Sequence, residues 1–124
     1  MPTSGPSAGT RTASERITLE VASWPGVEAG PGRRGEFAFR VGRREIGHLH
    51  GDHAAHFSFP KTVWAELMQD GRIGPHPVFP AARGPAARRI ESEEDIRDVV
   101  ALLRLNYDRV GVPDPGNRTD GDSR

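Results

Sequence analysis

The sequence predicts an α+β fold, in which an antiparallel meander sheet of three or more strands carries helices packed on one face. Two observations predict it. Apolar and polar residues alternate near 36–41, 44–50 and 53–59, as in strands with one buried face. Apolar residues then recur at a spacing of three and four near 61–70 and 93–110, as on one side of a helix. Consecutive strands beside separate helices are typical of α+β domains.

Length and composition exclude several classes of protein. The chain has 124 residues and carries 17 basic and 17 acidic side chains, a balance that argues against a general nucleic-acid binder. It has no cysteine, which excludes thiolate metal sites and favours a reducing compartment, so a cytoplasmic location is expected. No apolar run is long enough for a membrane span, and the N-terminus lacks the apolar core of a signal peptide.

The two ends of the chain differ in composition from its centre. Residues 1–13 and 113–124 are rich in small, polar and proline residues and contain no aromatic side chain. Because such segments bury too little apolar surface to offset their ordering entropy, both are expected to be disordered tails. Residues 14–112 are expected to form a single domain.

The first element is expected to be a helix. Ile17, Val21 and Trp24 recur at i, i+4 and i+7, and Ser14 is a candidate N-cap. The alternation around Leu19 also fits a strand, but the helix is preferred. The glycine-rich segment that follows, residues 28–35, is expected to be a loop.

The first two strands are expected to form a hairpin around a two-residue turn at 42–43. This register pairs Phe37 with His48. It therefore places His48 and His50 on the same sheet face as the phenylalanines, against the helices.

The second hairpin allows two registers. A two-residue turn at 51–52 pairs His48 with Ala55, whereas a three-residue turn pairs it with His56. Because side chains alternate with a period of two, the longer turn also moves Phe57 to the other face. Burial of the aromatic side chains favours the two-residue turn.

The second half of the chain is expected to hold two helices. Pro60 suits the first turn of one, and Ser92 is the expected N-cap of the other, ahead of an acidic first turn. Residues 73–89 contain four prolines, so only 77–79 is predicted as a strand there, at a sheet edge.

Histidine is the residue type most able to carry chemistry in this chain. Four of the five histidines lie within nine residues, at His48, His50, His53 and His56. Two histidines at alternate positions of one strand share a face, and imidazole binds metals and transfers protons near neutral pH. Structural packing, a small-molecule pocket and a transition-metal site are all consistent with this pattern. A metal site needs a third ligand, and Asp52, His53 and His76 are candidates that match no metal-site spacing, so no metal ligand is assigned.

A longer pattern resembles the luciferase-domain family. Residues 42–52 read GRREIGHLHGD, which is similar to the family signature GREIGHLHGD with one additional arginine. Further segments match the family in order along the chain: Trp24-Pro25-Gly26-Val27, Phe57-Ser58-Phe59-Pro60-Lys61, Gly71-Arg72, Pro75-His76, Ser92-Glu93-Glu94-Asp95 and Leu102–Arg109. The resemblance covers about residues 15–110.

The resemblance implies a ligand-binding site at His48, His50, Asp52 and His76. The family is named for the fungal luciferase, an oxygenase-type enzyme that acts on a hydroxylated hispidin, so a small-molecule and oxidative site is the first hypothesis. Bacterial members of this size have no established reaction. A non-enzymatic binding or interaction module with structural histidines is therefore the alternative, and the resemblance assigns neither a cofactor nor an oligomeric state.

One departure from the family concerns the substrate class. Family members usually have Gly-Trp after the Pro-His segment, whereas this chain has Gly84-Pro85. If the tryptophan lines the pocket, an aromatic wall is absent here.

Overall fold

The structure is a computed structural model in which residues 11–111 are described. Its helices are α1 (Ala13–Ala22), α2 (Lys61–Gln69) and α3 (Glu93–Asn106), and a π-helical turn, Tyr107–Gly111, continues α3. The strands are β1 (Val27–Pro31), β2 (Phe37–Val41), β3 (Arg44–His50), β4 (Ala54–Ser58), β5 (Gly74–Pro75) and β6 (Pro85–Arg89). The tail expected over 113–124 lies outside the described residues, as do residues 1–10 of the other expected tail.

Within residues 11–111, the strands form one antiparallel sheet in the order β1-β2-β3-β4-β6-β5. This confirms the α+β fold and the meander of the three central strands. Two predictions about the loops were wrong. Residues 28–31, half of the segment expected to be a loop, belong to β1, and the strands in the proline-rich segment are β5 and β6 rather than 77–79.

Local capping explains where the helices begin. Thr12, rather than the expected Ser14, is the N-cap of α1: its hydroxyl accepts from the Glu15 backbone N–H, and the Glu15 carboxylate accepts from the Thr12 N–H. The helix therefore begins inside the range expected as a tail. Ser92 caps α3 as expected, since its hydroxyl accepts from the backbone N–H of Asp95.

The core lies between the helices and one face of the sheet. It is built from buried side chains of all three helices and of the central strands: Ile17, Val21, Leu67, Val99, Leu102, Leu103, Phe39, Leu49 and Phe57. Gly47 allows α3 to approach the sheet closely, because a Cβ atom at this position would lie 2.5 Å from Cδ2 of Leu103. None of the helices among residues 11–111 has the length and apolar character needed to cross a bilayer.

The expected register of the first hairpin was wrong beyond its turn. Arg40 pairs with Glu45 as predicted, but a bulge follows, so that Phe39 pairs with Gly47 and Phe37 with Leu49. His48 lies opposite Ala38. The bulge thus turns His48 and His50 to the sheet face opposite the phenylalanines. Ile46, the extra residue of the bulge, is buried in the core.

The expected two-residue turn of the second hairpin was also wrong. The turn has three residues, and His48 pairs with His56 and Leu49 with Ala55. Because the bulge and the longer turn each shift the alternation by one residue, the two shifts compensate. Phe57 therefore still faces the core, at 4% exposure, while His48 and His56 lie together on the other face.

Candidate functional site

Four imidazole rings pack together on the sheet face opposite the helices, and we call them the histidine cluster: His48, His50, His56 and His76. Ring centroids of the first three lie 4.9 Å (His48–His50), 5.2 Å (His48–His56) and 4.2 Å (His50–His56) apart. The ring of His76 lies 4.5 Å from that of His56. His48 and His76 both flank His56, so their centroids are at most about 10 Å apart.

The strands explain why these rings meet. His48 and His50 alternate along β3 and share one face, and His56 lies directly across from His48 on β4. On the next strand His56 pairs with Ala87, which in turn pairs with Gly74. These two residues carry little or no side chain, so the ring of His76, just beyond β5, reaches over β6 to His56.

Burial within the cluster is uneven. His56 is buried, at 7% exposure, whereas His48 and His76 are half-buried and His50 is exposed. Burial, helped by the charges of His50, His76 and His48, lowers the pKa of His56 to about 4, so this ring is neutral at pH 7. Its Nδ1 atom is buried without a hydrogen-bond partner. Burial also lowers the pKa of His76.

Two rings have defined hydrogen bonds. Nδ1 of His48 donates to Oε2 of Glu45 at 2.6 Å, because an ionised carboxylate only accepts. Nε2 of neutral His48 therefore holds a free lone pair. In His76 the arrangement is reversed: Nδ1 accepts from the backbone N–H of Val78 at 3.1 Å, so neutral His76 carries its proton on Nε2.

An acidic side chain lies next to the cluster. Oε1 of Glu36 accepts from the backbone N–H of Arg34 at 3.0 Å. Backbone hydrogen bonds, aided by the charges of His48 and His50, hold the pKa of Glu36 below its usual range. The cluster is therefore bordered by negative charge from both Glu36 and Glu45.

Asp52, which the resemblance includes in the site, makes a different contact. Its Oδ1 accepts from the backbone N–H of Ser14 at 2.8 Å, in the first turn of α1. Hydrogen bonds from Ser14 also hold the pKa of Asp52 below its usual range. The carboxylate thus anchors the start of α1 to the turn between β3 and β4.

The structure adds His56 to the residues that the sequence singled out. His48, His50 and His76 lie in one cluster of rings, and His53 is an exposed turn residue. The signal for His56 in the sequence is the three-residue turn, the register that places His56 opposite His48.

Apolar and concave surfaces adjoin the cluster on two sides. The ring of Phe79, at 55% exposure, lies 5.4 Å from that of His76, next to Val78 at 63% exposure. An open groove of about 1060 Å³ runs between α1 and the ends of β2 and β3 and reaches both His50 and Glu36. The histidine cluster is therefore accessible from the side of His50.

The departure from the family at Gly84-Pro85 affects the same sheet face. Pro85 pairs with Ser58, two residues along β4 from His56, so position 85 belongs to the face that carries the histidine cluster. The carbonyl oxygen of Pro85 accepts from Nε1 of Trp64 at 3.1 Å. Pro85 thus lies on the face of the histidine cluster, at the position where the resemblance to the family leads us to expect a tryptophan.

The fold and the site define a small α+β domain whose sheet carries helices on one face and a histidine cluster on the other. The family model described as Luciferase domain matches residues 43–106, just over half of the chain. The chain belongs to the luciferase-domain family. The matched segment includes every member of the histidine cluster. Comparisons with curated proteins and with solved structures gave no match.

Proposed function

We propose that the histidine cluster binds a small molecule with an acidic hydroxyl, a phenol or an enol, and removes its proton before oxidation by molecular oxygen. The observation that carries this proposal is His56: a buried, neutral imidazole with an unpartnered nitrogen, packed among three other imidazoles. A buried polar atom without a partner is costly, and a ligand hydroxyl satisfies it.

The chemistry follows from the protonation states. Neutral His56 accepts a hydrogen bond from a phenolic or enolic hydroxyl, but its lowered pKa makes it a weak base, so the proton goes to the exposed ring of His50, 4.2 Å away. In that step the O–H bond breaks, an N–H bond forms on the ring, and the ligand stays as an anion beside the imidazolium. The electron-rich anion is more readily oxidised than the neutral molecule, and molecular oxygen is the oxidant that the family name suggests.

The surroundings suit a flat, partly apolar ligand. Phe79 and Val78 offer an exposed apolar surface next to His76, against which an aromatic ring packs. The Nε2–H of His76 is a donor to the ligand anion.

Among the predicted site residues, His48, His50 and His76 are retained as ligand contacts. Asp52 instead anchors the start of α1. The absence of cysteine and the balanced charge support a cytoplasmic domain with a small-molecule partner.

Titration with 4-nitrophenol tests both binding and proton removal, because its anion absorbs visible light. The experiment uses metal-stripped protein, with a chelator present, at a slightly acidic pH where the free phenol is mostly protonated. We expect the anion band to grow on binding and 4-nitroanisole, which has no acidic hydroxyl, to bind less tightly. The His50→Ala variant should weaken binding with little loss of stability, since His50 is exposed.

His53→Ala is the matched control, because His53 lies in the adjoining turn and is exposed; it should bind like the unmodified protein. Equal affinity for the phenol and its methyl ether, or unchanged affinity in His50→Ala, would overturn the proposal. Either result favours the alternative, a non-enzymatic module in which the histidines are structural.

A further inference from the structure

We propose that His48, His50 and His56 bind a divalent first-row transition metal ion, with Glu45 as the residue that orients His48. The inference rests on the proposed function, because it adds a cofactor to the same cluster, and in the metal-bound protein the ion replaces the ligand hydroxyl as the partner of His56. Each of the three histidines offers one ring nitrogen, and these nitrogens all lie within 4.8 Å of one another. No metal ligand is predicted from the sequence, because strand pairing rather than local spacing places the third histidine, His56, beside the other two.

The distances are close to those of a metal centre. Zinc–imidazole bonds are about 2.0–2.1 Å long, which places ligand nitrogens of a tetrahedral ion roughly 3.3 Å apart. Binding of an ion would therefore draw the three ring nitrogens closer together than the 4.8 Å limit within which they lie. All three ligands come from the same face of two paired strands, so they bind one side of the ion. The exposed side at His50 leaves coordination positions for solvent or substrate.

The hydrogen bond between Glu45 and His48 is independent support. It keeps the proton of His48 on Nδ1 and leaves the Nε2 lone pair for the ion. A carboxylate that accepts from the other ring nitrogen is the usual partner of a metal-bound histidine, since it fixes the tautomer and raises the basicity of the ligand.

The unpartnered nitrogen of His56 and the negative charge near the cluster also favour a metal ion at this site. Nδ1 of His56 is buried with no hydrogen-bond partner, and an ion is a partner of the kind that such a nitrogen lacks. Glu36, Glu45 and His48 also have ligand atoms within 4.8 Å of one another. The two carboxylates offset the charge of a divalent cation without needing to bind it.

His76 has a separate role at this centre. Its Nδ1 lone pair is used by the backbone N–H of Val78, and neutral His76 presents Nε2–H instead. A protonated nitrogen does not bind a metal ion, but it donates a hydrogen bond to metal-bound water or to a bound ligand anion. The cluster therefore divides into three ligands and one donor.

Imidazole ligands select the kind of ion. Three neutral nitrogen ligands suit Fe²⁺, Co²⁺, Ni²⁺, Cu²⁺ and Zn²⁺, whereas Mg²⁺ and Ca²⁺ prefer oxygen. Co²⁺ and Zn²⁺ are the probes for the test. Tag-free protein is stripped with EDTA, moved to chelator-free buffer and titrated with Co²⁺, followed by visible absorption, and with Zn²⁺, followed by calorimetry. We expect one equivalent of either ion per chain, and Mg²⁺ should not compete.

Variants distinguish this site from adventitious binding. His50→Ala should lose most of the affinity for Zn²⁺ and the Co²⁺ absorption bands, while His53→Ala keeps both. Glu45→Gln should bind Zn²⁺ about 10–100-fold more weakly, as expected for a residue that orients a ligand. Absence of stoichiometric Co²⁺ and Zn²⁺ binding, or equal Zn²⁺ affinity in His50→Ala and unmodified protein, would overturn the proposal.

The two proposals fail separately. If 4-nitrophenol is bound and deprotonated by metal-stripped protein that takes up no Zn²⁺, the metal proposal is wrong and the small-molecule proposal stands. If Zn²⁺ binds with the expected variant pattern but 4-nitrophenol does not bind, the metal site stands and the proposed substrate class is wrong.

Discussion

Asn106 of α3 donates a hydrogen bond from Nδ2 to the carbonyl oxygen of Ile46, 3.2 Å away, at the bulge of β3. The same Nδ2 donates to the carbonyl oxygen of Ser58 at 3.1 Å, and Oδ1 accepts from Nη2 of Arg109 at 2.8 Å. Asn106 is 1% exposed and its polar atoms are satisfied. The end of α3 thus stabilises the bulge that turns His48 away from the core.

Replacing Asn106 by Ala should destabilise the domain by roughly 2–4 kcal/mol, because two strand carbonyls lose their donor in a buried position. Chemical denaturation measures the change. Asp108→Ala, two residues along at an exposed position, is the control and should change the free energy of unfolding little. A loss of under about 0.5 kcal/mol in Asn106→Ala would mean that water replaces the amide.

Truncation of Leu103 tests the packing of α3. Leu103 is fully buried, so Leu103→Ala should lower the free energy of unfolding by roughly 2–5 kcal/mol. Leu19→Ala is a matched control, because Leu19 of α1 is 55% exposed. A loss under about 1 kcal/mol at Leu103 would show that this side of α3 does not face the core.

Gly47 and Leu103 should be coupled. A methyl group at position 47 would lie 2.5 Å from Cδ2 of Leu103 and 3.1 Å from Cδ1 of Phe57, so Gly47→Ala should cost roughly 1–3 kcal/mol. Since Leu103→Ala removes the nearest atom, the double variant should be more stable than the sum of the two single changes predicts. Gly30→Ala is the control, because a Cβ atom there meets no atom within 4 Å. Strict additivity of Gly47→Ala and Leu103→Ala would rule out this contact as the reason for the glycine.

The elements with strong local signals were predictable from the sequence. Alternation identified β2, β3 and β4, and the Ser92 cap with its helical stripe identified α3. The signals for β1 and β6 are weak, because both strands contain proline and small residues and exist through pairing with β2, β4 and β5.

The candidate site was predictable only in part, for a non-local reason. His48, His50 and His76 were identified from the motif, but the face on which they lie was not. That face depends on a bulge whose hydrogen-bond partner, Asn106, is 60 residues away in the sequence. His56 lies in the cluster only because the second turn has three residues. By itself that turn would move Phe57 out of the core, but the bulge in β3 shifts the alternation back, so Phe57 stays buried.

The stability of the metal-free protein should depend on pH through His56. Burial lowers the pKa of His56 from 6.5 to about 4 in the folded state, while an unfolded chain has the ordinary value. The unfolded state therefore binds more protons between pH 6.5 and about 4, and the free energy of unfolding falls as the pH drops through this window. The decrease should be on the order of 1–3 kcal/mol.

Asp52 and Asp95, whose folded pKa values are lowered, lose their contributions to stability mainly at more acidic pH. Denaturation curves of the unmodified protein and His56→Gln isolate the imidazole, since the variant should show a smaller decrease above about pH 4.5, and the part that remains comes from His76, whose pKa burial also lowers. Parallel curves for the two proteins across that window would show that His56 titrates normally and that its ring is not desolvated.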